Sequence, residues 1–279
     1  MLNDYQILAN DIAKLSEGRK IIYIPNPGNW GDGLIRHGTK LFLEDFNIEH
    51  TEVRISHRWG KVTLLPYLAP GLMDQHFFLF GGGGAWCHAY PGSMKMVRYM
   101  LRFTDKVLVL PSTYELAVPF RSGTYYSRGR KESMTALPSA KFCHDMALYI
   151  DVRKSRERRQ SLATHRLGIF MRQDRESALN HHFPAETMDI SALGNEMSCG
   201  ETFIARLGLY ENIFTDRLHV AVGGSIAGSR VHLLSGNYFK IREIYEASLK
   251  NRFSELVFHS DAAQFYSAIE KIGYLGSAR

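Results

Sequence analysis

The chain has 279 residues, of which 45% are hydrophobic and 22% charged, a globular composition that supports a substantial core and argues against disorder anywhere but the ends. A net charge of +6 favours acidic partners, whether phosphorylated small molecules, nucleic acid or an anionic membrane face, and the length favours two domains. Cys87, Cys143 and Cys199 are odd in number and far apart, which argues against a disulfide framework and for reduced cytoplasmic thiols.

The first twenty residues, MLNDYQILANDIAKLSEGRK, alternate acidic, apolar and basic side chains, without the apolar centre of a signal peptide. No window approaches the roughly 18 to 20 apolar residues of a membrane span, so the expected location is cytoplasmic. Short apolar runs then recur at KIIYIPN, HFFLFGG, KVLVLPS and SAKFCHD, separated by segments of helical period such as GLIRHGTKLFLEDF and SMKMVRYMLRF. That alternation predicts a parallel sheet covered by helices.

The stretch VRKSRERRQSLATHR has little apolar content and reads as a linker over 152–165, between an N-terminal domain of 1–151 and a C-terminal domain of 166–279. The pattern restarts beyond it with the strand RLGIFMRQD, the helix CGETFIARLGL, the strand YENIFT, the helix HVAVGGSIAG, the strand SRVHLLSGN and the helix KIREIYEASLK. A last strand and amphipathic helix occupy ELVFHSDAAQFYSAIEKIGYL. The expected architecture is α/β, two Rossmann-like domains facing a cleft, with functional residues just past the carboxyl ends of the strands.

Several stretches follow strands in that way. In IIYIPNPGNWGDGLIRHG a helix is expected from about Asp32, and the turn holding Asn29, Gly31 and Asp32 lets backbone amides approach an anion or a sugar. Asp32 equally suits a simple N-terminal stabiliser. The segment Gly33 to Lys40 nearly reads as a Walker phosphate loop, but its Thr and Lys are swapped and it lies within the helix, which excludes an NTPase. In FFLFGGGGAWCH, Gly83, Gly84 and Trp86 form either a tight passage or a cleft wall with a stacking platform; GxGxxG is not matched. Cys87-His88 and Cys143-His144 lack close ligand spacing, so no metal is expected.

Arg172 follows the first strand of the second half, where its guanidinium suits a carboxylate or phosphate or an interdomain ion pair. In TDRLH a helix opens on Arg217 and His219, although the positive end of its dipole disfavours cations. Thr215 or Asp216 is the expected N-cap. Either Arg217 pairs with a carboxylate, or an anion binds there together with Arg172, His219 and Lys240.

The motifs GNWGD, FGGGG, HDMAL, the Arg of FMRQD, TDRLHVAV and NYFKIREIYE occur in this order over roughly residues 20 to 250, and in them the chain resembles the polysaccharide pyruvyl transferase family. The resemblance implies a glycosyltransferase-B-like fold that moves the pyruvyl group of phosphoenolpyruvate onto two hydroxyls of a sugar, in a polysaccharide or its precursor, as a cyclic ketal. It implies no metal or organic cofactor. It also implies that Arg172, Arg217, His219, the backbone of Leu218 and, less directly, Lys240 hold the donor. His219 would act as general acid and Arg217 as electrostatic partner. Asp32 would orient or deprotonate an acceptor hydroxyl from the opposite domain, beside Asn29, Gly31, Gly83, Gly84 and Trp86. The acceptor would be a sugar or lipid-linked oligosaccharide, and the positive surface suits peripheral contact with the inner membrane face. Two other readings share these residues: a nucleotide-sugar glycosyltransferase, and a non-catalytic anion or nucleic-acid binder. Scattered basic residues argue against nucleic acid as a partner.

Overall fold

The structure, a computed structural model, describes residues 1–55, 60–117, 120, 122–154, 163–177 and 187–274. It divides into two compact units, one of Met1–Gly28 with Ile35–Arg153 and one of Asn29–Leu34 with Lys154–Arg279. The break at Arg153 falls inside the expected linker, whose residues 155–162 lie outside the described residues.

The first unit runs α1 (Leu2–Ser16), β1 (Lys20–Ile24), α2 (Trp30–Asp45), β2 (His50–Glu52), α3 (Gly60–Leu68), β3 (His76–Phe80), α4 (Gly92–Met100), β4 (Val107–Ser112), β5 (Thr124–Ser127), α5 (Glu132–Ala136), β6 (Lys141–Phe142) and α6 (Tyr149–Lys154). Its six parallel strands are ordered β2-β1-β3-β4-β5-β6, so the order reverses between β1 and β3. In register, Ile22 lies beside Phe78 and Ile24 beside Phe80. Ile22, Ile24, Phe78, Phe80, Val107 and Val109 pack with Leu64 and Leu68 of α3 and Val97 and Met100 of α4. The alternate residues, Tyr23, Leu79 and Leu108 among them, are also buried. Burial on both faces is why these strands read as unbroken apolar runs rather than as alternating patterns.

The second unit continues with β7 (His165–Phe170), α7 (Gly200–Leu207), β8 (Tyr210–Thr215), α8 (Leu218–Ala227), β9 (Arg230–Leu234), α9 (Lys240–Ile244), β10 (Leu256–His259) and α10 (Ala262–Tyr274). Its parallel strands lie in the sequential order β10-β9-β8-β7. Met171, Phe214 and Leu234 pack with Phe265 and Ile269 of α10. The sequence LHVAVGGSIA of α8 is buried almost all round, as expected of a helix apolar on every side.

Both units are therefore α/β with parallel sheets, as the periodicity predicts. Two strands escape the sequence reading: β2, a polar HTE at the sheet edge, and β5, a four-residue TYYS without an apolar run. Helix α2 begins at Trp30 rather than Asp32. Its first turn, through Leu34, belongs to the second unit, so the expected boundary at 151 misassigns Asn29, Gly31 and Asp32.

Candidate active site

The carboxyl ends of β7, β8 and β9 carry the residues singled out in the second half. Arg172 lies two residues past β7, Arg217 two past β8, and Lys240 opens α9 beyond β9. All three are buried, and a buried cation needs a partner. The Arg172 guanidinium donates to both carboxylate oxygens of Asp174, at 2.9 and 3.1 Å, and lies 2.5 Å from Glu176. Arg217 donates to Asp174 at 2.9 Å and to Asp189. Lys240 donates to Glu176 at 2.5 Å, as does the Tyr238 hydroxyl at 2.9 Å.

This corrects the expectation of an all-cation pocket. Each of the three cations faces a carboxylate of its own unit, because ionised groups taken out of water are held only where opposite charge meets them. Arg172 pairs with Asp174 and Glu176 rather than across domains, and Arg217 pairs with Asp174 and Asp189. Burial alone raises the Glu176 carboxyl, but Lys240, Arg172 and the Tyr238 hydroxyl outweigh it and hold it at about 2. Asp174 is likewise held at about 2, against the effect of burial, by Arg172 and Arg217.

Asp216 differs. It is fully buried, and although its Oδ1 accepts the Arg172 amide at 2.7 Å, burial raises its carboxyl above the ordinary range. Among the described residues, three buried polar atoms of this patch have no hydrogen-bond partner: Asp189 Oδ1, Asp216 Oδ2 and Arg217 Nε. Such atoms are rare in folded proteins and each is costly.

Helix α8 opens at the same place. Arg217 is itself the N-cap, in extended conformation, and its side chain caps nothing. Thr215, expected as a cap, instead accepts the Arg217 amide at 3.0 Å and donates to the Phe170 carbonyl at 2.6 Å, tying the ends of β7 and β8 together. Leu218 is buried while His219, one residue on, is half-buried.

His219 meets a part of the chain that the sequence placed in the other domain. Asn29 and Asp32 cap α2 reciprocally: the Asn29 amide donates to Asp32 Oδ2 at 3.0 Å, and Asn29 Oδ1 accepts the Gly31 amide at 2.8 Å, a capping-box arrangement. Asp32, expected in the opposite domain, thus caps α2 in the same unit as His219. A Cβ on Gly31 would lie 2.8 Å from His219 Nδ1, so only glycine lets the imidazole rest against this turn. The turn is anchored by Trp30, whose Nε1 donates to the Cys199 carbonyl at 3.0 Å and whose ring packs on Phe203.

Gly83, Gly84 and Trp86 belong to the first unit. Trp86 is 1% exposed and lies in the core against Tyr114, Phe120 and Tyr125, so it is a packing residue and not a stacking platform. The glycine run serves close packing: a Cβ on Gly81 would lie 2.6 Å from the Asn26 amide nitrogen, and Gly83, at φ 140°, exchanges backbone hydrogen bonds with Pro111 and Thr113. Gly84 is half-buried beside it. His144 pairs with Asp4 at 3.4 Å, Cys143 is buried, and among the described residues no cluster of three or more His, Cys, Asp or Glu is placed to hold a metal.

Comparison with known proteins finds solved structures of similar fold. A functionally uncharacterized protein from Klebsiella pneumoniae subsp. pneumoniae superposes with a TM-score of 0.73 at 22% identity, over 94% of this chain and 100% of the other. At that identity the likeness concerns the fold alone. No protein-family model matches the chain, and no curated protein matches it.

The sequence reading did not single out Asp174, Glu176 or Asp189, and it met Tyr238 only as part of the motif NYFKIREIYE, with no role assigned. The first two were legible, two and four residues after Arg172 in RQDRE, as acids within reach of that guanidinium. Asp189 carries no local signal, since it arrives from a separate loop.

Proposed function

We propose that the chain transfers the pyruvyl group of phosphoenolpyruvate onto two hydroxyls of a sugar as a cyclic ketal, on a pair of Rossmann-like domains of the glycosyltransferase-B kind. The observation that carries this reading is Arg217: a buried Nε with no acceptor among the described residues, on an N-cap whose own side chain does not cap the helix, with Arg172 joined to it through Asp174 and Lys240 joined to Arg172 through Glu176. Helix N-termini and guanidinium groups are the usual receptors of phosphate and carboxylate. The donor offers both, and its oxygens would exchange with those of Asp174 and Glu176 around the same cations.

In the proposed reaction His219 gives a proton to the vinyl methylene, leaving a cationic centre at the carbon that bears the phosphate oxygen. One sugar hydroxyl adds there and loses its proton, phosphate leaves with its bonding electron pair, and the second hydroxyl closes the ketal with loss of a second proton. Arg217 and Arg172 stabilise the departing phosphate. Asp32, through the cap it forms with Asn29, positions Gly31 under the imidazole.

Phosphate release from phosphoenolpyruvate, measured with and without sugar acceptors, tests the reading, with the ketal methyl group followed by NMR. His219→Ala is expected to lower turnover by about 10²- to 10⁴-fold, the usual worth of a general acid. Consumption of a nucleotide sugar but not of phosphoenolpyruvate would make the chain a glycosyltransferase instead.

A further inference from the structure

The chain's charge is unevenly distributed. Between Arg54 and Thr104 there are six Lys or Arg residues and a single acid, Asp74, whereas the remainder of the chain holds 28 basic and 27 acidic residues. Nearly all of the net charge thus belongs to one stretch of the first unit, the stretch that contains α3 and α4.

These two helices pack side by side and share an exposed face. Helix α3 buries Leu64 and Leu68 but leaves Val62 55% and Leu65 49% exposed, three residues apart and so on one side of the helix. Helix α4 buries Val97 and Met100 and turns Lys95 and Arg98 outward, with Arg102 exposed just beyond its end. The two halves of the face are continuous. The Lys61 ammonium lies 5.3 Å from the Tyr99 ring centre, and Tyr99 meets Phe103, itself 40% exposed, edge to face at 5.2 Å.

We infer that this face of α3 and α4 docks on an anionic lipid bilayer. Aliphatic side chains set among cations are what an interfacial helix requires: Val62, Leu65 and Phe103 enter the boundary between headgroups and acyl chains, while Lys95, Arg98 and Arg102 reach the lipid phosphates. A nucleic acid would use the cations but offers nothing to Val62 and Leu65, because its affinity rests on phosphate contacts and aromatic stacking. Among the described residues no helix is long and apolar enough to cross a membrane, so the contact is peripheral. The inference does not depend on the donor site in the second unit.

The test is flotation of the full chain with phosphatidylcholine vesicles, with and without phosphatidylglycerol, in low and high salt. Association with the anionic vesicles in low salt, and its loss in high salt, is expected. Each basic residue near such a surface is worth about fivefold in affinity, so Lys95→Ser with Arg98→Ser and Arg102→Ser should weaken association on the order of a hundredfold. Val62→Ser with Leu65→Ser should weaken it by at least about tenfold in a variant that still unfolds cooperatively, since about half of each side chain is exposed. No association of the parent in low salt overturns the inference, as does parent-like association of either folded variant. Binding to a duplex oligonucleotide more tightly than to anionic vesicles also overturns it and reassigns the surface to nucleic acid.

Discussion

Replacing Glu176 by Gln removes the charge that Arg172 and Lys240 share, while keeping the side chain's size and one carbonyl oxygen. The carboxyl titrates at about 2 against an ordinary 4.5, and a displacement of that size corresponds to about 3 kcal/mol of stability from its charged form. Glu176 is only 5% exposed, so solvent screens little of this, and the independent scale for breaking a buried ion pair, about 3–5 kcal/mol, agrees. The sign follows from a folded pKa below the unfolded one: the contribution is complete above about pH 4.5 and is lost as pH falls towards 2. The variant has no such contribution to lose. Urea unfolding followed by circular dichroism between pH 7 and pH 2 should therefore show a gap of about 3 kcal/mol that narrows below pH 4.5 and closes near 2. A gap under about 0.5 kcal/mol at pH 7, the scale of an ordinary surface substitution, or one that does not change with pH, would refute the reasoning. If donor oxygens exchange with those of Glu176, the variant should also bind inorganic phosphate more tightly than the parent.

Gly31→Ala ought to stabilise the first turn of α2 by about 1 kcal/mol on propensity alone, but the added carbon meets His219 Nδ1 at 2.8 Å. The expected result is a loss of both stability and phosphate release in the parent and a gain in stability in the His219→Ala background; additive effects in a double-mutant cycle of melting temperatures would show that the two residues do not interact. In the first unit, Arg128 and Asp145 form an ion pair with both side chains 1% exposed, so Asp145→Asn should cost about 3–5 kcal/mol by urea unfolding, and a loss below about 1 kcal/mol, the worth of an exposed pair, would contradict the assignment. His232, stacked on Phe214 at 4.2 Å and hydrogen-bonded to His259 at 2.9 Å, is held at about 4 by burial and by His259. Its neutral form stabilises the fold fully above about pH 6.5, and that stability is lost as pH falls through 4. An NMR titration midpoint near the ordinary 6.5 would exclude this.

Much of the fold can be traced in local sequence. Runs such as HFFLF and KVLVL read as strands because a parallel sheet buried on both faces needs apolar side chains at every position. In RVHLL the same burial admits His232, which the fold holds neutral between Phe214 and His259. The cationic candidates were also visible, because Arg172 and Arg217 lie just past strands, where parallel α/β sheets expose their functional residues. What stayed hidden was each candidate's partner. Trp86 after four glycines has the same local sequence whether it faces a ligand or the core, and only the positions of Tyr114, Phe120 and Tyr125 decide for the core.

The sequence by itself determined the apolar strands and the helices between them in the second unit, the point near Arg153 where one unit yields to the next, and the placing of Arg172, Arg217, His219 and Lys240 in the segments that follow strands, since these follow from periodicity along the chain. Only the tertiary structure decided that the cations are matched by Asp174, Glu176 and Asp189, and that Asn29 to Leu34 fold with the second unit so that Gly31 lies beneath His219. Both depend on charges and backbone brought together from distant positions, and the energy of such meetings is set by distance in space and by burial, neither of which is written in any local stretch of residues.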